Sequence, residues 1–178
     1  VGGFLSKPVL PRDYVHRLSE ECAKEIGRFQ TVAKRLLDSQ PRLVRFFRDN
    51  MPVMPGQSGE VSLYLLAVIL HIYSTSGKLG KVGEAEIGAA TRRIVGRAKG
   101  WLPGTPDFPS HVRAVEDRIQ PHILDEALQA LFERTEKRAE EVDIPPDQAA
   151  LMFLMLWAAT EALDAAWKAP QSPSWAEA

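Results

Sequence analysis

The chain has 178 residues, with 22 lysines and arginines against 23 aspartates and glutamates, and 45% of its residues are hydrophobic. That composition fits one globular domain with a single core, and a net charge of −1 gives no global basic excess to argue for nucleic acid or a membrane surface. The lone cysteine, Cys22, excludes an intrachain disulfide and favours a reducing, cytoplasmic setting.

Residues 1–11 read as an extended N-terminal arm, because Pro8 and Pro11 hold the residues before them out of the helical region. They show no basic stretch leading into an apolar core of signal-peptide length. Residues 12–168 read as a single all-helical domain. A long helix is expected from Arg12 to the break at Pro41, with Val15, Leu18, Cys22, Phe29, Val32 and Leu36 on one apolar stripe. Cys22 lies in that stripe and reads as a small core residue.

Pro41 suits the first turn of a short helix, Arg42–Asn50, and Met51–Gly59 is a proline- and glycine-rich loop. Ser58 opens the next helix, whose run Leu63–Leu70 is apolar on every side. Gly77–Gly83 resembles a phosphate loop only superficially. It follows a helix, and Val82 stands where such a loop needs Ser or Thr, so a turn is expected. Glu84–Lys99 is acidic at its start and basic at its end, as the helix dipole favours. Gly88 and Gly96 inside it suggest the close approach of another helix. After a loop carrying Trp101 and Phe108, a helical region from Ser110 should break near Gln120, because Pro121 follows. A stripe then runs from Ile123 to Thr135. The last helix starts at Asp147, and residues 169–178, with Pro170 and Pro173, read as a loose C-terminal tail.

Ala149–Ala159 contains no charged residue. A helix apolar on all sides must be surrounded by protein or lipid, and this run is shorter than the ~20 residues that span a bilayer. The expected fold is therefore all-α: a compact bundle of about seven helices around two buried apolar helices, 61–73 and 149–163. Gln40–Pro41–Arg42–Leu43–Val44 matches Gln120–Pro121–His122–Ile123–Leu124 at an offset of 80. Each opens an amphipathic helix, then a proline loop, then an apolar helix. The pattern suggests an internal duplication and requires the two apolar helices to touch.

Chemistry-bearing motifs are sparse. His16, His71, His111 and His122 form no H-E-x-x-H or Glu-x-x-His pattern, so no metal is expected. No Gly-x-Ser-x-Gly is present, and no cofactor signature appears. His122 with Asp125 and Glu126 reads as a solvated face rather than a cation site. Four polar residues at the ends of the core helices, His71, Tyr73, Glu161 and Asp164, are the candidate site. Arg42, Arg45 and Arg48, with Arg92, Arg93 and Arg97, form a candidate basic surface that could meet nucleic acid if it lay on one face; no nucleic-acid-binding signature accompanies it.

Charge is also uneven along the chain: residues 1–110 carry 16 basic against 10 acidic side chains, and residues 111–178 carry 6 against 13. The halves either pack with complementary fields or present a charged face to a partner. The leading expectation is a non-enzymatic protein-interaction or assembly module, including self-association as a homodimer. The alternatives are a binder of an apolar small molecule between the central helices and a nucleic-acid binder using the arginines. No membrane partner is expected.

Overall fold

The computed structural model describes residues 7–50, 52, 56–102, 107–133 and 144–177. Along the chain these form α1 (Arg12–Lys24), α2 (Ile26–Asp38), α3 (Pro41–Asn50), α4 (Ser58–Ser76), β1 (Lys78–Leu79), α5 (Glu84–Arg97), α6 (Phe108–Arg113), α7 (Pro121–Leu128) continued by a wide turn Gln129–Glu133, α8 (Pro146–Ala166), β2 (Trp167–Lys168) and a final 3₁₀ turn Ser174–Glu177. Helices α3, α7 and α8 start on proline, whose missing N–H costs nothing in a first turn.

The all-α bundle is built as its apolar helices require. In α8 every residue from Ala149 to Asp164 except Leu151 is buried, and in α4 the buried run is Leu66–Leu70 with Ile72 and Tyr73. At 19 and 21 residues, α4 and α8 are long and apolar enough by length and composition to cross a membrane. For α8, however, 83% of that apolar window is covered by the rest of the chain, against 56% for α4. The two helices touch, and the Tyr73 hydroxyl reaches Thr160 O at 3.2 Å. Around the pair, α1, α2 and α3 cover α4, while α5 and α7 cover α8.

Four expectations need correction. The first long helix breaks at Glu25, whose φ of −123° and ψ of 58° are not helical. The apolar stripe keeps its phase across the break, which lets α2 turn onto α4. The expected Gly77–Gly83 turn contains a short antiparallel pairing, with Lys78 opposite Lys168 and Leu79 opposite Trp167. There the close approach belongs to Gly77, where a side chain would collide with the Lys168 carbonyl and the Trp167 indole. Gly88 and Gly96 are not packing sites: a Cβ on Gly96 meets nothing within 4 Å, and one on Gly88 meets only Arg92 Nη1 at 3.5 Å. Helix α5 instead turns Ile87, Ala90 and Ile94 inward. Finally, the C-terminal tail is docked rather than loose. Trp175 is 8% exposed and its ring lies 5.4 Å from Tyr14 and 6.4 Å from Trp167.

Two glutamines tie the bundle together. Gln40 donates to Gly80 O at 2.9 Å and accepts from Val82 N at 3.0 Å. Gln120 donates to Pro8 O at 2.9 Å and accepts from Leu10 N at 3.0 Å. In both places one carboxamide satisfies the carbonyl of one residue and the N–H two residues on, as a neighbouring strand would. Each glutamine directly precedes a helix-starting proline, and each held segment leads into a helix, α5 or α1. Gln120 pays for its position with a left-handed backbone, φ 48°, a conformation costing about 1 kcal/mol for a non-glycine residue.

Gln40→Ala and Gln120→Ala each strip two backbone groups of their partners. Of the two, only the N–H belongs to a buried residue, Leu10 or Val82, while Pro8 and Gly80 are exposed; at about 1–3 kcal/mol per buried unsatisfied group, each variant should lose about 1–3 kcal/mol in denaturant unfolding. Limited proteolysis near Pro8 should rise in Gln120→Ala and stay unchanged in Gln40→Ala.

Candidate functional site

The four polar residues at the ends of the core helices do not converge. Tyr73 and Asp164 meet: the phenol lies 3.2 Å from Asp164 Oδ1, which also accepts from Gln120 Nε2 at 3.1 Å. Lys7 Nζ donates to the Asp164 carbonyl. Burial, with the Asp164 carboxyl beside it, pushes the Tyr73 phenol well above its ordinary range, so it serves as a fixed donor. Glu161 points elsewhere. It is buried and accepts from Arg93 Nε at 3.0 Å and Nη2 at 2.9 Å. His71 packs edge-on against Phe29, ring centroids 5.9 Å apart. The Tyr73–Asp164–Gln120 cluster is a closed structural node that anchors the N-terminal arm.

Burial lowers the His71 imidazole below its ordinary 6.5, and Glu21 only partly opposes this. The folded state therefore favours neutral His71, while the unfolded chain takes up a proton near its ordinary value. Stability contributed this way is full above pH 6.5 and is lost as pH falls below it. Between about pH 7.5 and about pH 5.5, wild type should lose more stability than His71→Leu in parallel denaturant titrations.

The candidate basic surface is partly neutralised. Arg97 grips Asp117 through two bonds of 2.7 and 2.8 Å, which holds that carboxyl at about 2. Arg93 is engaged by Glu161, and Arg45 lies 3.8 Å from Asp49. Arg42, Arg48 and Arg92 are exposed and make no ion pair among the described residues. The histidine cluster is likewise taken apart: Asp125 pairs with Arg118 at 2.9 Å and Glu126 with His16 at 2.7 Å. No group of three metal-ligating side chains occurs among the described residues. Cys22 is 3% exposed, and burial together with Glu21 pushes its thiol up to about 11. Iodoacetamide at about pH 8 should alkylate it only as fast as the protein opens, and at the free-thiol rate once denatured.

The feature the linear pattern did not reveal is a groove of about 550 Å³ between α1, α4 and α7. Its floor is Val61, Leu65, Val68, Ile69 and Ile72 of α4, with Ile123 and Ala127 of α7. One bank carries His16, Ser19 and Glu20 of α1; the other carries Glu126, Gln129, Ala130 and Glu133. His16 Nδ1 reaches across to Glu126 Oε1 at 2.7 Å, and its Nε2 lies 4.0 Å from Glu20. Glu133 pairs with Arg113. The groove lies on the side of α4 away from α8, not between the two central helices. A second depression, between α2, α3 and α4, mixes Leu37, Val44 and Leu63 with Lys34, Asp38, Arg45 and Asp49. Four of its charges are partnered, Lys34 with Asp38 at 2.9 Å and Arg45 with Asp49, while Arg48 and Glu60 also line it. The one sequence signal for the first groove was that α4 is apolar all round while α1 and the turn after α7 offer it small residues, Ser19, Ala23 and Ala130.

Searches among protein families, curated proteins and solved structures find no match to this chain. Its own geometry defines a class: an all-α domain with a solvent-open groove, apolar on its floor and polar on its banks, along one of its two central helices.

Proposed function

We propose that this domain is a non-enzymatic protein-interaction module that docks a helical segment of a partner in the α1–α4–α7 groove. The observation that carries the reading is the row Val61, Leu65, Val68 and Ile72 along the groove floor, of which Val61 and Leu65 reach solvent while Val68 and Ile72 are already covered, at 6% and 0% exposure. Its spacing of i, i+4, i+7 and i+11 is the ridge one helix presents to another. Val61 and Leu65 remain half-buried, so a further helix would remove more of their surface from water, at about 25 cal/mol per Å². The banks are polar and the floor apolar, which is the general anatomy of a protein interface. The groove's open side suits a peptide better than a small molecule, since small ligands are mostly enclosed. We also read the matched Gln-Pro units as a duplicated helix–loop–helix; the support is that both glutamines hold a pre-helix segment in the same way.

Selection of helical peptides displayed on phage against the whole chain tests the main reading. Enriched sequences should carry apolar residues at i, i+3 or i+4 and i+7. Ala130→Trp, a substitution on the exposed bank, should abolish their binding without changing the unfolding midpoint. Enriched peptides indifferent to Ala130→Trp, or no enrichment, would sink the proposal.

A further inference from the structure

We infer that the segment seated in the groove is a cationic amphipathic helix, with one apolar face flanked on both sides by lysine or arginine. The inference rests on the groove being a docking surface for a helix, and it adds the partner's chemistry.

The electrostatics of the two banks carry it. Glu20 stands on the α1 bank, and Glu126 and Glu133 on the opposite one. Among the described residues no lysine or arginine lines the groove, and His16 is the one basic side chain there. It lies between the two banks, 2.7 Å from Glu126 and 4.0 Å from Glu20. Arg113, outside the lining, holds Glu133. Glu20 and Glu126 therefore share a single imidazole, and both keep acceptor capacity for a further donor. Glu20 is well exposed and Glu126 less so, at 52% and 21% side-chain exposure, so a ligand's cation reaches them without deep desolvation. The half of the chain that supplies α7 is also the acidic half, with 6 basic against 13 acidic residues beyond residue 110.

The row Val61, Leu65, Val68 and Ile72 is open at one end: Val61 and Leu65 are half-buried, whereas Val68 and Ile72 are 6% and 0% exposed, so a ligand's apolar face meets about one turn of α4. A helix lying along that row places side chains on either shoulder over the two banks. Lysine or arginine is favoured there, and glutamate would meet Glu20 and Glu126 directly, a like-charge juxtaposition that interfaces use to exclude wrong partners.

The test uses the whole chain and three fluorescein-labelled peptides of roughly 16 residues. One has leucine at i, i+4, i+7 and i+11 with lysine on both shoulders. The second replaces every lysine by glutamate. The third scrambles the first so that no apolar face forms. Fluorescence anisotropy should show the lysine peptide binding at least about tenfold more tightly than either of the others, with the advantage shrinking between about 50 and about 300 mM salt. The double variant Glu20→Gln/Glu126→Gln should narrow the gap between the lysine and glutamate peptides several-fold, and Ala130→Trp should weaken the lysine peptide. Equal binding of the lysine and glutamate peptides overturns the charge inference and leaves the docking reading standing. Equal binding of the scrambled peptide, binding unaffected by Ala130→Trp, or no binding of any peptide overturns both.

Discussion

A helix with no polar face dictates its own surroundings. Helix α8 places Met152, Phe153, Leu156, Trp157 and Leu163 on different sides of its axis, and all of them are buried. Each such side chain contributes about 1.5–3 kcal/mol only if something covers it, so the chain has to wrap α8 completely. Helix α4 covers one side, α5 and α7 cover others, and aromatic rings close the rest. Trp101 stacks over Trp157 at 6.3 Å, and Phe108 meets Phe153 at 5.9 Å. At the C-terminal end Trp167 packs on Tyr73, its indole N–H bonded to Tyr73 O at 3.1 Å. The short pairing of β1 with β2 fixes that end, and it needs Gly77 because no side chain fits against the Trp167 indole.

Hydrophobic coverage alone is non-directional; the two glutamines supply direction. Gln120, ahead of α7, holds the segment that leads into α1, and Gln40, ahead of α3, holds the segment that leads into α5. Gln120 thus ties the second half of the chain to the N-terminal arm, 110 residues away, while Gln40 closes a loop of about 40 residues within the first half. Gln120 does more than Gln40, since its second amide hydrogen goes to Asp164 Oδ1. That bond joins the arm, α7, α4 through Tyr73, and α8 in one buried polar cluster. Such clusters stabilise when every member is satisfied, and this one is anchored further by Lys7.

Much of this architecture was legible because it is written in local pattern. The two apolar helices, the proline helix starts and the Gln-Pro match could all be read residue by residue. The function of the match could not, because its partners at Pro8–Leu10 and Gly80–Val82 lie 110 and about 40 residues away. The break at Glu25 escaped for a different reason. Val15, Cys22, Phe29 and Leu36 keep one seven-residue phase through both helices, so the periodicity carries no trace of the turn. Among the site candidates, proximity in sequence misled. Glu161 and Asp164 sit three residues apart on one helix, yet Glu161 reaches Arg93 on α5 while Asp164 reaches Gln120 at the start of α7. Their different neighbours decide their roles. The groove could not be read at all from single helices, because three elements widely separated in the chain make it.

Why the groove opens beside α4 and not beside α8 follows from side-chain size. Helix α8 carries alanine at positions 149, 150, 158, 159, 162, 165 and 166, and α5 meets it with Ala90 between Ile87 and Ile94. Small residues let two helix axes come together, and α5 and α8 form the most extensive helix pair in the fold. Helix α4 instead faces the groove between α1 and α7 with Val61, Leu65, Val68, Ile69 and Ile72. These branched and bulky side chains hold the flanking helices off, and the flanking positions Ser19, Ala23 and Ala130 are too short to fill the space between them. The result is a groove whose floor is open at Val61 and Leu65, covered at Val68, Ile69 and Ile72, and bridged where His16 reaches Glu126. That α4 leaves Val61 and Leu65 half-covered at one end of this row, beside banks that carry carboxylates, supports the proposal that the groove takes another helix.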